Sequence, residues 1–170
     1  FKEQKKFIER KNKILWVGES NIDYEEIFPY IEELLKNNYE IVFRGKLGSN
    51  SKIDSFLNKY NIYKDNATSF FYSLENNSIG VVVGTHSTTL MESWIVGVPS
   101  FAFKCSYDYG SHLWEDKIIE LCEDTQFAKN FVDRYFDMEI IDIERKKLEI
   151  WGKEYCFNKE KIEKNIKGLK

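Results

Sequence analysis

Little in this sequence is suited to holding a metal, crossing a membrane or following a phosphate backbone. Cysteine occurs three times, at Cys105, Cys122 and Cys156, with no Cys-x-x-Cys and no grouping of Cys with His at metal-ligand spacing. The thiols read as reduced and cytosolic, and no metal site is expected. No apolar run approaches the roughly 18 to 20 residues that span a bilayer, and the first residues, FKEQKKFIERKNK, carry charge where a signal core would be apolar. The expected location is the cytoplasm, or the inner face of the membrane. Net charge is −3, so there is no global basic field, and nucleic acid is not an expected partner. A P-loop, GxGxxG, HExxH and G-x-S-x-G are all missing. So are internal repeats, low-complexity tracts and Pro/Gly/Ser linkers, which leaves one domain over 1–170 as the expectation. The chain starts at Phe1 without a Met, which suggests a piece of a longer protein.

Apolar residues are plentiful at 42% and aromatic ones reach 16%, enough for a large core rich in Phe and Tyr. Their arrangement alternates between strand and helix. KILWVG at 13–18 is a short apolar run stopped by Gly18, as in a buried parallel strand. Asp23 and Glu26 then stand at capping-box spacing, Ile27, Ile31, Leu34 and Leu35 share one helical face, and Asn37 and Asn38 close the segment. Pro29 interrupts this pattern and predicts a regular helix starting there, after a looser turn. YEIVFRG at 39–45 is a second strand, 51–60 a second helix, 61–63 a short third strand and 69–77 a weakly marked helix. Ile79 to Gly84 and Ser100 to Lys104 have almost no polar alternation, the mark of burial on both faces. A helix from about Thr88 to Val96 lies between them, ended by Gly97 and Pro99. Beyond Lys104 the pattern predicts helices at 113–122, 126–136, 142–152 and 158–168, and no further strand. The fold class is therefore α/β, a Rossmann-like doubly wound parallel sheet of about five strands in the order 3-2-1-4-5, with extra C-terminal helices.

In such sheets ligands bind beyond the carboxyl ends of the strands, where the strand order reverses. The run VVVGTHSTTLMESWIVGVPSFAF, Val81 to Phe103, places Thr85, His86, Ser87, Thr88 and Thr89 at such an end and at a helix start. Unpartnered amides and the dipole favour an anion there, and the hydroxyls add donors. A phosphate fits. So does a simple cap, because Thr89 and Glu92 have capping-box spacing.

The same run resembles the strand–loop–helix–strand core of the C-terminal, nucleotide-binding domain of GT-B glycosyltransferases, in which a pattern close to S-x-T-x-x-E-x-x-x-x-G-x-P recurs. Kdo transferases of capsule export, glycerophosphotransferases of teichoic-acid synthesis and non-hydrolysing UDP-GlcNAc 2-epimerases share variants of it. The resemblance implies that Ser87, Thr88 and Thr89 hold the phosphates of a nucleotide-activated sugar and that Glu92 faces ribose or sugar hydroxyls. Arg44, with Lys46 after it, matches a basic residue at the second strand end of capsule-type relatives, whose following His-Pro is missing here. The loop Ser106, Tyr107, Asp108, Tyr109, Gly110, Ser111 and His112 supplies an aromatic face for a base, or is an ordinary connection. His86 has a better claim than His112 to a catalytic role. Gly18-Glu19-Ser20 after the first strand carries little by itself.

The function implied is a glycosyltransferase domain that binds the nucleotide-sugar donor for surface (capsule) polysaccharide synthesis, inactive when isolated. A glycan or lipid-linked acceptor would be bound by a missing N-terminal domain. The nucleotide sugar is substrate, and no cofactor is expected. Two rivals stay open: a UDP-sugar 2-epimerase or polysaccharide pyruvyl transferase on the same scaffold, and a non-catalytic module whose hydroxyls only cap a helix. The Lys-rich ends at 1–13 and 158–170 interleave Lys with Glu and apolar residues, as solvated helix faces do, and peripheral membrane contact through them is a further alternative.

Overall fold

A computed structural model describes residues 11–45, 51–107, 114, 115 and 117–152, and every statement of absence below concerns these. Six strands form one sheet in the order β3-β2-β1-β4-β5-β6, and all five neighbouring pairs are parallel. They are β1 (Lys13–Val17), β2 (Glu40–Arg44), β3 (Tyr63–Lys64), β4 (Val81–Gly84), β5 (Ser100–Phe103) and β6 (Glu120–Cys122). The helices are α1 (Tyr24–Lys36), α2 (Ser51–Tyr60), α3 (Phe70–Asn76) and α4 (Thr89–Ile95). A 3-10 turn at Thr125–Phe127 leads into α5 (Ala128–Phe136), and α6 occupies 140–152.

The unbroken apolar strands behave as residues buried on both faces must. Ile14, Leu15 and Trp16 in β1, Val81 to Val83 in β4 and Phe101 to Phe103 in β5 are all fully buried. Trp16 is the hub of one aromatic cluster. Its ring meets Phe43 edge-on at 4.7 Å, and it also contacts Phe28 of α1 and Phe56 of α2, which stack on each other at 4.0 Å. Farther along the sheet Phe103 stacks on Tyr30 of α1 at 4.6 Å, and Phe101 on Tyr135 of α5 at 5.6 Å. α1 is thus clamped at both ends of the core.

Two expectations need correction. α1 runs through Pro29 instead of beginning there. Proline removes one amide donor, but the Asp23 carboxylate accepts from the Glu25 amide at 3.1 Å, and the buried stripe Tyr24, Ile27, Tyr30, Ile31 and Leu34 continues on both sides of it. Burial outweighs one missing bond. The second correction is β6, which lies within the predicted 113–122 helix. Residues 114 and 115 are helical, but Lys117 has φ 56°, a left-handed conformation that cannot continue a helix. The chain then turns extended and pairs Phe101 with Glu120, Ala102 with Leu121 and Phe103 with Cys122, burying Ile119 and Cys122. The predicted helix at 158–168 lies outside the described residues.

Candidate functional site

All strands being parallel, their carboxyl ends share one edge. From β1 the chain winds outward through β2 and β3, and then returns to place β4 on the other flank of β1. The reversal lies between β1 and β4, so the crevice is bordered by Gly18–Asp23 and by Gly84–Thr88. Arg44–Gly45 and Lys104–Tyr107 follow the neighbouring strands.

The two bordering turns are tight. A Cβ on Gly84 would lie 2.6 Å from Val17 Cγ2 and 3.2 Å from its carbonyl oxygen, and one on Gly18 would lie 2.7 Å from Phe43 Cζ and 2.8 Å from the Tyr24 hydroxyl oxygen. Glycine leaves room at these positions for the packed Val17, Phe43 and Tyr24 side chains and for the Val17 carbonyl. Tyr24 donates its hydroxyl to the Glu19 carbonyl at 2.5 Å, and burial pushes its pKa up to about 12. The tyrosine therefore remains a neutral donor that fixes the turn. Glu19 itself is only 3% exposed.

On the β4 side Thr85 is buried, and its Oγ1 lies 3.1 Å from His86 Nδ1, which orients the imidazole. Ser87 is 8% exposed; its Oγ donates to Thr89 Oγ1 at 2.9 Å and accepts from the Thr89 amide at 3.4 Å. Thr88, exposed, is the residue at the N-cap, with φ −58° and no side-chain cap bond. The Thr89–Glu92 capping box is therefore not formed. With Thr88 at the cap, the third helical position is Met91, which has no carboxylate, and the Glu92 amide bonds to the Thr88 carbonyl at 3.1 Å. Glu92 is exposed.

Arg44 reaches the same edge two strands away, but the structure ties it inward. Its Nη1 donates to Asp65 Oδ2 at 3.2 Å, to the Ala67 carbonyl at 2.8 Å and to Ser73 Oγ at 2.8 Å. Ser73 in turn donates to Asp65 at 2.5 Å, and both residues are buried. As placed, the guanidinium braces the loop before α3. Lys46, Asp108, Tyr109, Gly110, Ser111 and His112 lie outside the described residues.

After β5 the described part of the loop comes to the hydroxyl cluster. The Tyr107 ring is 5.1 Å from the His86 ring, and the Ser106 amide donates to the Glu26 carboxylate at 2.5 Å. His86, Ser87, Ser106 and Tyr107 thus occupy one stretch of edge. Glu26 was not among the sequence candidates, and Glu19 entered only within Gly18-Glu19-Ser20, which carried little by itself. Glu26 stood out only for its spacing from Asp23, which suggested a bond within its own helix and not one to a loop 80 residues away. Cavities of about 380 Å³ between α1 and α2, and about 520 Å³ beside β6, are not lined by residues 84–92. Among the described residues no group of three His, Cys, Asp or Glu could hold a metal ion, and no helix is long and apolar enough to cross a membrane.

No protein-family model matches the sequence, and no curated protein matches it significantly. Among solved structures the chain is similar to the C-terminal CMP-Kdo binding domain of WaaA from Acinetobacter baumannii, with a TM-score of 0.53 at 9% identity, over 84% of this chain and 90% of that one. It also overlaps the wall teichoic acid polymerase TagF, with a TM-score of 0.48 at 17% identity, over 95% of this chain but 44% of the polymerase. At such identities a likeness speaks for architecture and not for activity. The chain has the α/β, Rossmann-like fold of one half of a GT-B protein, as its strand–loop–helix–strand core implied.

Proposed function

We propose that this chain binds the nucleotide-activated sugar of a glycosyltransferase, as the C-terminal half of an enzyme that builds a surface polysaccharide such as a capsule. One observation carries the reading: the residues with phosphate-binding and base-stacking chemistry, His86, Ser87 and Tyr107, meet at the β1/β4 reversal of a fold shared with a CMP-Kdo binding domain. Ser87, Thr88 and the Thr89 amide would hold phosphate oxygens, and Thr85 would present the His86 ring to them. Tyr107 would stack on the base, joined by Tyr109, with Lys46 adding positive charge and Glu92 accepting from ribose or sugar hydroxyls. Displacement at the anomeric carbon would release the nucleotide, and the same donors would stabilise the departing phosphate. The acceptor, glycan or lipid-linked, would come from a second domain on the cytoplasmic face of a membrane. Arg44 is better assigned to bracing than to the donor.

Calorimetric titration with CMP, CDP, UDP and GDP tests this. Weak binding of at least one of them is expected, reduced at least tenfold by Ser87→Ala with Thr88→Val, since each lost donor to an anionic oxygen is worth roughly 1.5 to 3 kcal/mol. No binding at millimolar concentration, or binding unchanged in the double variant, would overturn the reading.

A further inference from the structure

We propose that Glu26 is a positioning residue for this edge: its carboxylate, reaching from the first turn of α1 to the Ser106 amide, sets the path of the chain after β5 and so the seating of Tyr107 on His86. The functional consequence rests on the nucleotide-site reading, but the placement itself belongs to the free protein.

After β5 the sheet stops guiding the chain. Phe103 is the last residue of β5, and the Lys104 amide makes one more bond, to the Cys122 carbonyl at 3.0 Å. Beyond it Ser106 and Tyr107 are exposed, and the Cys105 thiol makes a weak local contact to the Tyr107 carbonyl at 3.4 Å. The bond from the Ser106 amide to Glu26, 2.5 Å long and spanning 80 residues, ties this stretch to another element. It is charge-assisted, and so stronger than an amide–amide bond.

Its anchor is rigid. Ile27, next to Glu26, is fully buried, and Tyr30, one turn on, stacks on Phe103 and donates to the Glu123 carbonyl at 3.1 Å. α1 is therefore fixed to the ends of β5 and β6, and Glu26 projects from a stationary support. The Tyr107 ring follows one residue after the tethered amide and lies tilted by 49° on His86, whose Nδ1 is 3.1 Å from the Thr85 hydroxyl. Elements leaving β1, β4 and β5 are thereby joined through Glu26, Ser106, Tyr107 and His86. Free of the tether, the chain after Lys104 would carry Tyr107 away from His86, and a base would lose its stacking surface.

The chain contains two histidines, so its imidazole proton resonances are few, and a His112→Gln variant assigns those of His86. Tyr107→Leu, which deletes the ring current, calibrates the shift. Glu26→Ala should move the His86 resonances in the same direction and to a similar extent. Glu26→Gln, which keeps an acceptor oxygen, should leave them near the original positions. Ser106→Pro, which deletes the donor without touching α1, should reproduce Glu26→Ala. Affinity for whichever nucleotide binds should fall about tenfold in Glu26→Ala and recover in Glu26→Gln, as for a displaced stacking residue. Unmoved His86 resonances in both Glu26→Ala and Ser106→Pro would overturn the proposal, as would a Tyr107→Leu variant that leaves His86 unmoved. If the resonances shift as described and no nucleotide binds the unaltered chain, the placement stands and the proposed function fails.

Discussion

Ser87 and Thr88 are neighbours of similar chemistry in different situations. The Ser87 oxygen accepts from the Thr89 amide at the long distance of 3.4 Å, whereas Thr88 sits exposed at the N-cap without a side-chain bond. Ser87→Ala should therefore cost about 0.5 to 1 kcal/mol of stability and Thr88→Val close to none, measured by urea unfolding. Arg44 should behave in the opposite way, with a large structural effect. Removing it leaves the Asp65 carboxylate, only 6% exposed, with Ser73 but without its cation. Arg44→Ala should cost about 2 to 3 kcal/mol, somewhat below the 3 to 5 typical of a broken buried pair because the Arg44 side chain is 23% exposed, and Asp65→Asn in the same chain should recover part of it. Sequence order shows that Ser87 and Arg44 both follow strand ends. It does not show which way a guanidinium turns, because Asp65, Ala67 and Ser73 become its partners only after β3 and α3 are in place.

Helices and strands differed in how plainly they could be read. α2 is the predicted 51–60 to the residue, since Ile53, Phe56 and Leu57 recur at helical spacing and all three are buried. β4 and β5 declared themselves through unbroken apolar runs. β6 did not, because three residues with an exposed Glu120, a half-buried Leu121 and a buried Cys122 carry no period that a short window can detect. What makes them a strand is the open side of β5, a tertiary circumstance. The boundary signal was Lys117, and a lysine does not advertise φ 56° as a glycine would. Lys117→Gly should relieve that conformation and stabilise the protein by up to about 1 kcal/mol, visible as a raised melting temperature. A loss of stability would mean that the lysine side chain contributes more than its backbone costs. For the candidate site, sequence order was enough to put the β4–α4 turn at a strand end, while the bond from the Ser106 amide to Glu26, 80 residues apart, left no mark in it.

The molecule as a whole should tolerate acid and alkali unequally. Burial pushes Tyr24 and Tyr30 up to about 12 from an ordinary 10.0, and raises Tyr39 and Tyr135 as well. A folded state that holds these protons more tightly than the unfolded chain keeps their full contribution below pH 10 and loses it progressively as pH rises toward 12. The Asp133 carboxyl is held below its ordinary 3.8 by bonds from Lys129 and Tyr39, so its contribution is present above that value and fades as pH falls through it. Unfolding midpoints should stay level between about pH 5 and 9 and drop steeply above 10, with four tyrosines titrating late in the ultraviolet spectrum; a flat profile to pH 12 would contradict it. The strand order has a different consequence, for the growing chain on the ribosome. β1 can pair with β2 once Arg44 has emerged, but its other edge waits for β4, about 40 residues later. At roughly 5 to 20 residues per second this is a delay of about 2 to 8 seconds. Throughout it, one side of Ile14–Val17 is an apolar strand edge with open amides and carbonyls, the form most prone to recruit another nascent chain.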